Sequence, residues 1–264
     1  MQLNTDKMLA EKEGPIGWIT FNNPLRRNAV SLEMWQALGV ILRNFQQDGD
    51  IRVVILKGAG DKSFVSGADI SEFETKRNSA AASEAYAKQS AKAHTMLYKL
   101  DKPLMAMIQG YCIGGGLAVA LNADVRFATP DSTFGIPAAK LGLGYGFGGV
   151  KALADLVGPS GAKDILFSAR FLDAEEALRI GLINKIVSKD ELEATVRDYA
   201  NRIGGNAPLT IKAVKASVRE WLRDPEKRDL EKINRLTQQC FDSKDYAEGR
   251  RAFMEKRKPV FKGE

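Results

Sequence analysis

The feature that most constrains the fold is the stretch at residues 105–116, MAMIQGYCIGGG, which ends in three consecutive glycines. The apolar run at residues 103–108 is short enough for a buried strand, and the Ala-rich run at residues 117–123 is typical of a buried helix. The glycines are therefore expected at a strand-to-helix junction. The first amides of a helix have no internal partner, and glycine lets a ligand approach them closely. The stretch predicts a site for negative charge, either a phosphate or a transient oxyanion, with a tight packed turn as the alternative.

A second stretch, FVSGADI at residues 64–70, follows a β-branched strand candidate at residues 53–57 and a turn. Together with the glycine triplet it resembles the enoyl-CoA hydratase/isomerase family, also called the crotonase superfamily. The resemblance continues in chain order through residues 19–31, 124–137, 158–187, 207–215 and 248–261. It thus covers nearly the whole chain, which is far more specific than any single motif.

The element pattern changes along the chain. It predicts a hairpin at residues 8–10 and 16–21, strands at 51–57, 103–108, 125–128 and 182–187, and helices at 31–47, 80–100, 117–123, 151–156, 161–168, 174–180, 189–203, 210–223 and 226–241. Strands alternate with helices up to residue 188, and helices dominate afterwards, so we expect a core of residues 1–188 and a helical region of residues 189–264. The resemblance implies an α/β fold, a crotonase-like spiral of repeated ββα units with a C-terminal helical trimerisation region, in which trimers often pair into hexamers.

Composition limits the functional classes. The 264 residues contain no run of about eighteen apolar residues, so no membrane span is predicted, and the first residues lack the apolar segment of a secretory signal. Two cysteines and a single histidine make neither a disulfide framework nor a metal cluster, so no metal is expected. A reducing cytoplasm is the simplest location.

The charge balance favours an anionic partner. There are 39 basic and 33 acidic residues, a net charge of +6. The basic residues are spread along the chain without a nucleic-acid motif, so nucleic acid is unlikely, whereas a phosphorylated small molecule such as coenzyme A fits. The formal G-x-G-x-x-G at residues 144–149 follows no clear strand and is not interpreted as a dinucleotide fingerprint.

The resemblance implies a catalytic device made of backbone groups. In the family, two main-chain amides hold the thioester carbonyl of an acyl-CoA while its oxygen becomes an enolate. The matching donors here are the amides of Ala68 and Gly115. Such donors cannot be lost by side-chain change, and they are rigid before the reaction. Two unrelated glycine turns are the alternative. Coenzyme A would enter as part of the substrate, without a tightly bound cofactor.

The resemblance also implies a surface for the CoA thioester. It places Arg27 and Ala29 beside the pantetheine and phosphate arm. The full predicted set is Arg26, Arg27, Ala29, Ser66, Ala68, Asp69, Ile70, Tyr111, Ile113, Gly114, Gly115, Pro137 and Tyr145. The two arginines suit phosphate groups, although a solvated basic loop is equally consistent with them. A C-terminal aromatic and a lysine reach the CoA of a neighbouring subunit in the family. Phe253 and Lys256 are the candidates, but a packed Phe253 and a surface Lys256 are the favoured interpretation.

The chain departs from the family pattern at two positions. Family hydratases carry glutamates two residues after the glycine triplet and directly after the FGxP motif, where this chain has Ala118 and Ala138. Water addition needs an acid and a base, and neither alanine can transfer protons. The following loop offers Tyr145, which matches a tyrosine in the family's malonyl-type decarboxylases. It would either orient a departing carboxylate or steer protonation, or it would only fill the acyl pocket. His94 is predicted as a surface or packed residue.

Three functions therefore remain open at this stage. The first is an acyl-CoA enzyme, most naturally labelled an enoyl-CoA hydratase and hence a lyase, with Ala68 and Gly115 as oxyanion donors. The second is a malonyl-type-CoA decarboxylase that uses Tyr145. The third is a non-catalytic CoA-binding or RNA-binding member of the family.

Overall fold

Two sheets organise the computed structural model of the chain, which describes residues 1–69 and 80–264. The large sheet has the strand order β1-β2-β3-β5-β7-β9, and the small sheet has the order β4-β6-β8. The strands are β1 (Met8–Glu13), β2 (Ile16–Phe21), β3 (Val53–Gly58), β4 (Ser63–Val65), β5 (Leu104–Ile108), β6 (Tyr111–Ile113), β7 (Val125–Ala128), β8 (Thr133–Gly135) and β9 (Lys185–Ile186). The predicted site residue Ile70 lies outside the described residues.

The same two-strand unit recurs three times along the chain. In each of the pairs β3–β4, β5–β6 and β7–β8, the first strand joins the large sheet and the second joins the small sheet. Corresponding strands of successive units pair in parallel. The large sheet opens with the predicted antiparallel hairpin of β1 and β2. The predicted α/β class is therefore confirmed, and parallel stacking brings equivalent strand ends to one edge of each sheet.

Helices cover both faces of the large sheet. They are α1 (Leu32–Gln47), α2 (Ala80–Lys99), α3 (Gly115–Ala120), α4 (Phe147–Ser168), α5 (Ala174–Arg179), α6 (Lys189–Gly204), α7 (Pro208–Trp221), α8 (Leu230–Phe241) and α9 (Lys244–Met254). The side chain of Ser31 caps α1 by accepting from the amide of Met34 at 3.3 Å, as its position predicts. Gly158, with a φ of 74°, interrupts α4 and so separates the two helices predicted at 151–156 and 161–168.

The core lies on both sides of the large sheet. One cluster joins α1, α2 and α3 to one face through buried side chains such as Leu38, Leu97 and Leu117. The other cluster places α6 against the opposite face through Trp18, Val53 and Val196. Because both faces are covered, β2 is buried along its whole length. The large sheet is thus a rigid support for the loops at its edge.

The C-terminal region exposes apolar surface. Between Lys189 and Met254 the chain consists mainly of helices. Helix α6 packs on the large sheet, and Lys215 and Arg219 of α7 donate to backbone carbonyls of the core at 2.7 and 2.6 Å. Exposed apolar side chains on α7, α8 and α9 include Val214, Val218, Trp221, Leu230, Phe241, Phe253 and Met254. A cavity of about 940 Å³ separates these helices. The division at residue 188 remains a prediction, since α6 packs with the core.

A buried asparagine ties the loop after β2 to the first two-strand unit, β3–β4. Asn28 is fully buried and has a φ of 56°. Its side-chain nitrogen donates to the carbonyl oxygens of Ala59 (2.9 Å) and Ser63 (2.7 Å), and its side-chain oxygen accepts from the amide of Asn23 at 2.9 Å. These three bonds hold the loop at residues 23–30 against the turn between β3 and β4. Asn28 therefore positions Arg26, Arg27 and Ala29 indirectly.

Replacing Asn28 by alanine is expected to destabilise the chain by about 3 kcal/mol, because it removes hydrogen bonds from two buried backbone groups and one partly buried carbonyl. Urea unfolding followed by circular dichroism measures the change. Asn22→Ala is the matched control, since Asn22 makes a single exposed bond to the carbonyl of Asp6, and it is expected to cost less than about 1 kcal/mol. Equal shifts for the two variants would contradict the structural role of Asn28.

Candidate active site

Two main-chain segments meet at one edge of the small sheet. Ala68 follows β4 by three residues, and Gly115 follows β6 by two. The two strands are parallel neighbours, so their carboxyl ends lie together. An ideal Cβ placed on Gly115 would lie 3.6 Å from the carbonyl carbon of Gly67 and 3.7 Å from the amide nitrogen of Ala68. The structure thus places the two predicted oxyanion donors on neighbouring main-chain segments.

Neither of these amides has a hydrogen-bond acceptor among the residues that the structure describes. Ala68 forms a parallel bridge with Val30, in which the Gly67 carbonyl accepts from Val30 (2.8 Å) and the amide of Asp69 donates to Val30 (3.1 Å). In such a bridge the amide of the central residue points away from the partner strand. Gly115 is the first residue of α3 and has no acceptor within the helix. Two neighbouring donors are therefore available to a ligand.

The first and the last residue of the glycine triplet each require glycine, for different reasons. Gly114 caps α3 with a φ of 56° and a ψ of −116°, a conformation that favours glycine. A Cβ on Gly116 would overlap the carbonyl oxygen of Val65, so α3 can approach β4 only with glycine there. These two positions turn the chain and press the helix against β4. As a result the amide of Gly115 lies beside Ala68.

Several described residues of the set predicted to hold coenzyme A lie next to this edge. The amide of Ser66 donates to the carbonyl of Arg27 at 3.1 Å, so residues 26–30 run alongside residues 66–69. Ala29 and Asp69 are buried, whereas Arg26 and Arg27 are exposed. The Arg27 guanidinium lies 5.0 Å from the centre of the Tyr111 ring. An exposed, stacked arginine at the rim of a cavity is suited to a phosphate or an aromatic base.

The remaining predicted contacts divide into two groups. Ile113 is the last residue of β6 and is buried. The amide of Gly114 donates to the carbonyl of Gly135 at 2.8 Å, which ties the glycine turn to the end of β8. Pro137 follows Gly135 by two residues. Phe253 lies in the last turn of α9, and Lys256 follows that helix by two residues. Phe253 is 83% exposed within the chain, so the expectation of a packed Phe253 is wrong, whereas Lys256 is exposed as predicted. Phe253 lines the cavity between α7, α8 and α9.

Tyr145 holds a buried hydroxyl group that has no partner among the described residues. Burial raises its pKa to about 12, so the phenol is neutral at physiological pH. The ring packs on Gly149 in the first turn of α4, where an added Cβ would lie 2.6 Å from a ring carbon. A neutral, fixed phenol with an unused proton is a donor for a ligand oxygen.

His94 contributes a feature that the sequence did not indicate. It lies on α2 with its ring centre 5.2 Å from that of Trp35. Asn122 Nδ2 donates to the carbonyl of Ala118 (2.8 Å) and lies 3.0 Å from His94 Nδ1. The carbonyl of Ala118 can only accept, so the side-chain atom of Asn122 that bonds it is the amide nitrogen. The same nitrogen donates to Nδ1 of His94, which is therefore an acceptor. Burial lowers the pKa of His94 to about 4, so the neutral ring carries its proton on Nε2.

Comparisons with known proteins agree with this geometry. The model of the enoyl-CoA hydratase/isomerase family matches residues 11–264. The chain is 36% identical over 258 residues to the short-chain-enoyl-CoA hydratase of Clostridium acetobutylicum, covering 98% of this chain and 97% of that protein. It is 35% identical over 260 residues to the carnitinyl-CoA dehydratase of Citrobacter koseri, covering 96% and 97%. The chain belongs to the enoyl-CoA hydratase/isomerase family.

Solved structures of this family have the same fold. An enoyl-CoA hydratase/carnithine racemase from Magnetospirillum magneticum superposes with a TM-score of 0.91 at 38% identity, covering 99% of this chain and 97% of that chain. The enoyl-CoA hydratase from Bacillus anthracis superposes with a TM-score of 0.90 at 29% identity, covering 98% and 100%. The predicted crotonase fold is therefore confirmed.

No group of three or more His, Cys, Asp or Glu side chains that could hold a metal ion occurs in residues 1–69 and 80–264. Among the described helices there is no candidate for a membrane span.

Ala118 on α3 and Ala138 in the 3₁₀ helix Pro137–Leu141 are half-buried, and their methyl groups cannot move a proton.

His94 is the only histidine, so its titration can be followed without interference. We expect its NMR resonances to shift with a midpoint near pH 4, with nitrogen shifts of the Nε2–H tautomer at neutral pH. The unfolded chain takes up this proton near pH 6.5 and the folded chain does not, so His94 makes stability fall as the pH is lowered from 6.5 towards 4. A midpoint near 6.5 would contradict the burial of the ring.

Proposed function

We propose that this protein binds an acyl-CoA and stabilises a thioester enolate between the amides of Ala68 and Gly115. The observation that carries the proposal is the contact between these two segments, each with an amide that has no acceptor among the described residues. A thioester oxygen that gains negative charge would accept both bonds. Each donor of this kind contributes on the order of 3 kcal/mol to the transition state.

The coenzyme A arm would lie along the loop that Asn28 anchors. Arg26 and Arg27 are exposed there, and Arg27 stacks on Tyr111 beside a cavity of about 380 Å³ that Lys62 and Lys189 also line. Among the described residues Lys189 pairs with Asp61, whereas Arg26, Arg27 and Lys62 have no acidic partner, so these three suit the phosphates of coenzyme A. Ala29, Ser66 and Asp69 would form the wall that faces the pantetheine.

The reaction class follows from the enolate. The relatives are named as a hydratase and a dehydratase, and water addition to or loss from a CoA thioester passes through charge on the thioester oxygen. We therefore propose a lyase that forms such an enolate. Ala118 and Ala138 supply no acid or base, so a proton in this enzyme would come from another side chain or from bound water.

Gly115→Pro tests the oxyanion role directly, because proline removes the amide proton and suits the first position of a helix. We expect kcat to fall about 100-fold to 1,000-fold, with an unchanged affinity for free coenzyme A. Gly115→Ala is the matched control: it keeps the amide, and its Cβ meets only ordinary contact distances. Steady-state kinetics on the best thioester of a panel of 2-enoyl-CoA and malonyl-type CoA compounds, read by product mass, measures both. A proline variant within threefold of the alanine variant would refute the role.

The buried hydroxyl of Tyr145 supports a second candidate, decarboxylation of a malonyl-type CoA. The bond between the α-carbon and the carboxylate breaks, its electron pair forms the enolate, CO₂ leaves, and the α-carbon later takes a proton. This sequence needs little acid or base, which suits Ala118 and Ala138. The Tyr145 hydroxyl would orient the carboxylate or steer the protonation.

Tyr145→Phe is expected to lower the rate of CO₂ release from malonyl-CoA or methylmalonyl-CoA at least tenfold, because it removes a fixed donor from the carboxylate. Released CO₂ is measured in a coupled assay. Tyr199→Phe serves as the control, since Tyr199 packs on Phe127 at the opposite face of the large sheet. If the wild type releases no CO₂ from either thioester, the decarboxylase candidate is rejected.

We also propose that the exposed apolar faces of α7, α8 and α9 are covered by further copies of the chain, as a homotrimer or a dimer of trimers, in a cytoplasmic enzyme. The seven exposed side chains named above and the cavity between the helices support an interface of this kind. Light scattering after gel filtration is expected to give three or six times the chain mass of 28.9 kDa. A monomer at micromolar concentration would contradict the assembly.

A further inference from the structure

A large cavity begins where the proposed active site ends. It has a volume of about 1040 Å³, and its walls come from α2, α3, α4 and α7. Ala118 lines it one helical turn after Gly115, and Gly149 lines it while touching the ring of Tyr145. The methyl group of Ala118 leaves open the space that a longer side chain would fill. A chain extending from the thioester past Ala118 would therefore enter this cavity.

The charged groups of the cavity wall already have partners. Lys151 pairs with Asp155 at 2.6 Å, and Lys215 pairs with Asp124 at 2.6 Å. Arg223 pairs with Glu220 at 2.9 Å, and Arg219 donates to the carbonyl of Leu100. A carboxylate brought into the cavity would have to compete with these acids for a cation. The wall is thus better suited to a neutral group than to a second charge.

His94 differs from these groups because half of its hydrogen-bonding capacity is unused. Its Nδ1 accepts from Asn122, and its Nε2 has no protein partner among the described residues. Trp35 on one side and Asn122 on the other hold the ring in place. His94 and Asn122 both line the cavity, so its wall carries an N–H donor in a fixed ring for which the described residues provide no acceptor.

We propose that the acyl chain of the substrate passes over Ala118 and places a neutral oxygen, a hydroxyl or keto group beyond its third carbon, against the Nε2–H of His94. This inference rests on the proposed acyl-CoA function. It makes His94 a specificity-determining residue and Asn122 the residue that fixes its tautomer. A plain alkyl chain in the same place would cover the N–H without bonding it, which costs binding free energy.

The test compares the binding of matched CoA thioesters: hexanoyl-CoA and its analogues with a keto or hydroxyl group on the fourth or fifth carbon. Isothermal titration is carried out on the wild type, His94→Phe, His94→Gln and Tyr98→Phe. Phenylalanine keeps the ring against Trp35 but removes the donor, whereas glutamine keeps an N–H donor. Tyr98, one turn further along α2, lines the same cavity and serves as the control.

We expect the wild type to bind at least one oxygenated thioester about tenfold or more tightly than hexanoyl-CoA. His94→Phe should abolish that preference with little change for hexanoyl-CoA, His94→Gln should retain part of it, and Tyr98→Phe should keep it. An equal affinity of the wild type for all chains, or a preference that survives in His94→Phe, would overturn the inference. If none of these thioesters binds, the acyl-CoA proposal itself fails, which is a distinct result.

Discussion

The structure depends most on the contact between the chain after β4 and the first residue of α3. An amide without an acceptor costs free energy when it is removed from water, and this fold places two of them side by side. Such an arrangement persists only when the surrounding structure holds it. Here a parallel sheet fixes both strand ends, and the close fit of Gly116 under Val65 fixes the helix. The donors are therefore oriented before any ligand arrives, which is the property that makes main-chain amides effective towards a developing negative charge.

The first thirty residues support this contact from outside the repeats. Val30 takes up the hydrogen-bonding groups on either side of Ala68, so the amide of Ala68 is directed to the other side. Asn28 holds the same loop against the turn that leads into β4. The exposed arginines next to it are carried by the same loop. In the proposed function, substrate binding and oxyanion stabilisation would share one support, and a change at Asn28 would disturb both.

Some of this could be predicted from the sequence and some could not, for physical reasons. The glycine triplet predicted a junction before a helix, and the helix does begin at Gly115. The strands β4, β6 and β8 were not predicted, because each has three residues and so shows no periodicity. The helix α9 was also missed, since its short segment is rich in charged residues.

Individual side chains were harder to predict. Asn28 looks like any loop residue, because its importance lies in partners more than thirty positions away in the chain. His94 showed only that it belongs to a helix, and its tautomer depends on Asn122. Phe253 was expected to be packed, but it is exposed within its own chain, because an apolar side chain in a sequence does not say whether its own chain covers it.

The absence of carboxylates at Ala118 and Ala138 separates two parts of the chemistry. Stabilisation of an enolate needs only the main chain, whereas proton transfer needs a side chain or water.

The most direct test of the central claim is a crystal structure of the protein with a bound CoA thioester. The account predicts the amide nitrogens of Ala68 and Gly115 both at about 2.7–3.1 Å from the same thioester oxygen. A thioester oxygen bonded to neither amide, or to groups elsewhere, would contradict it.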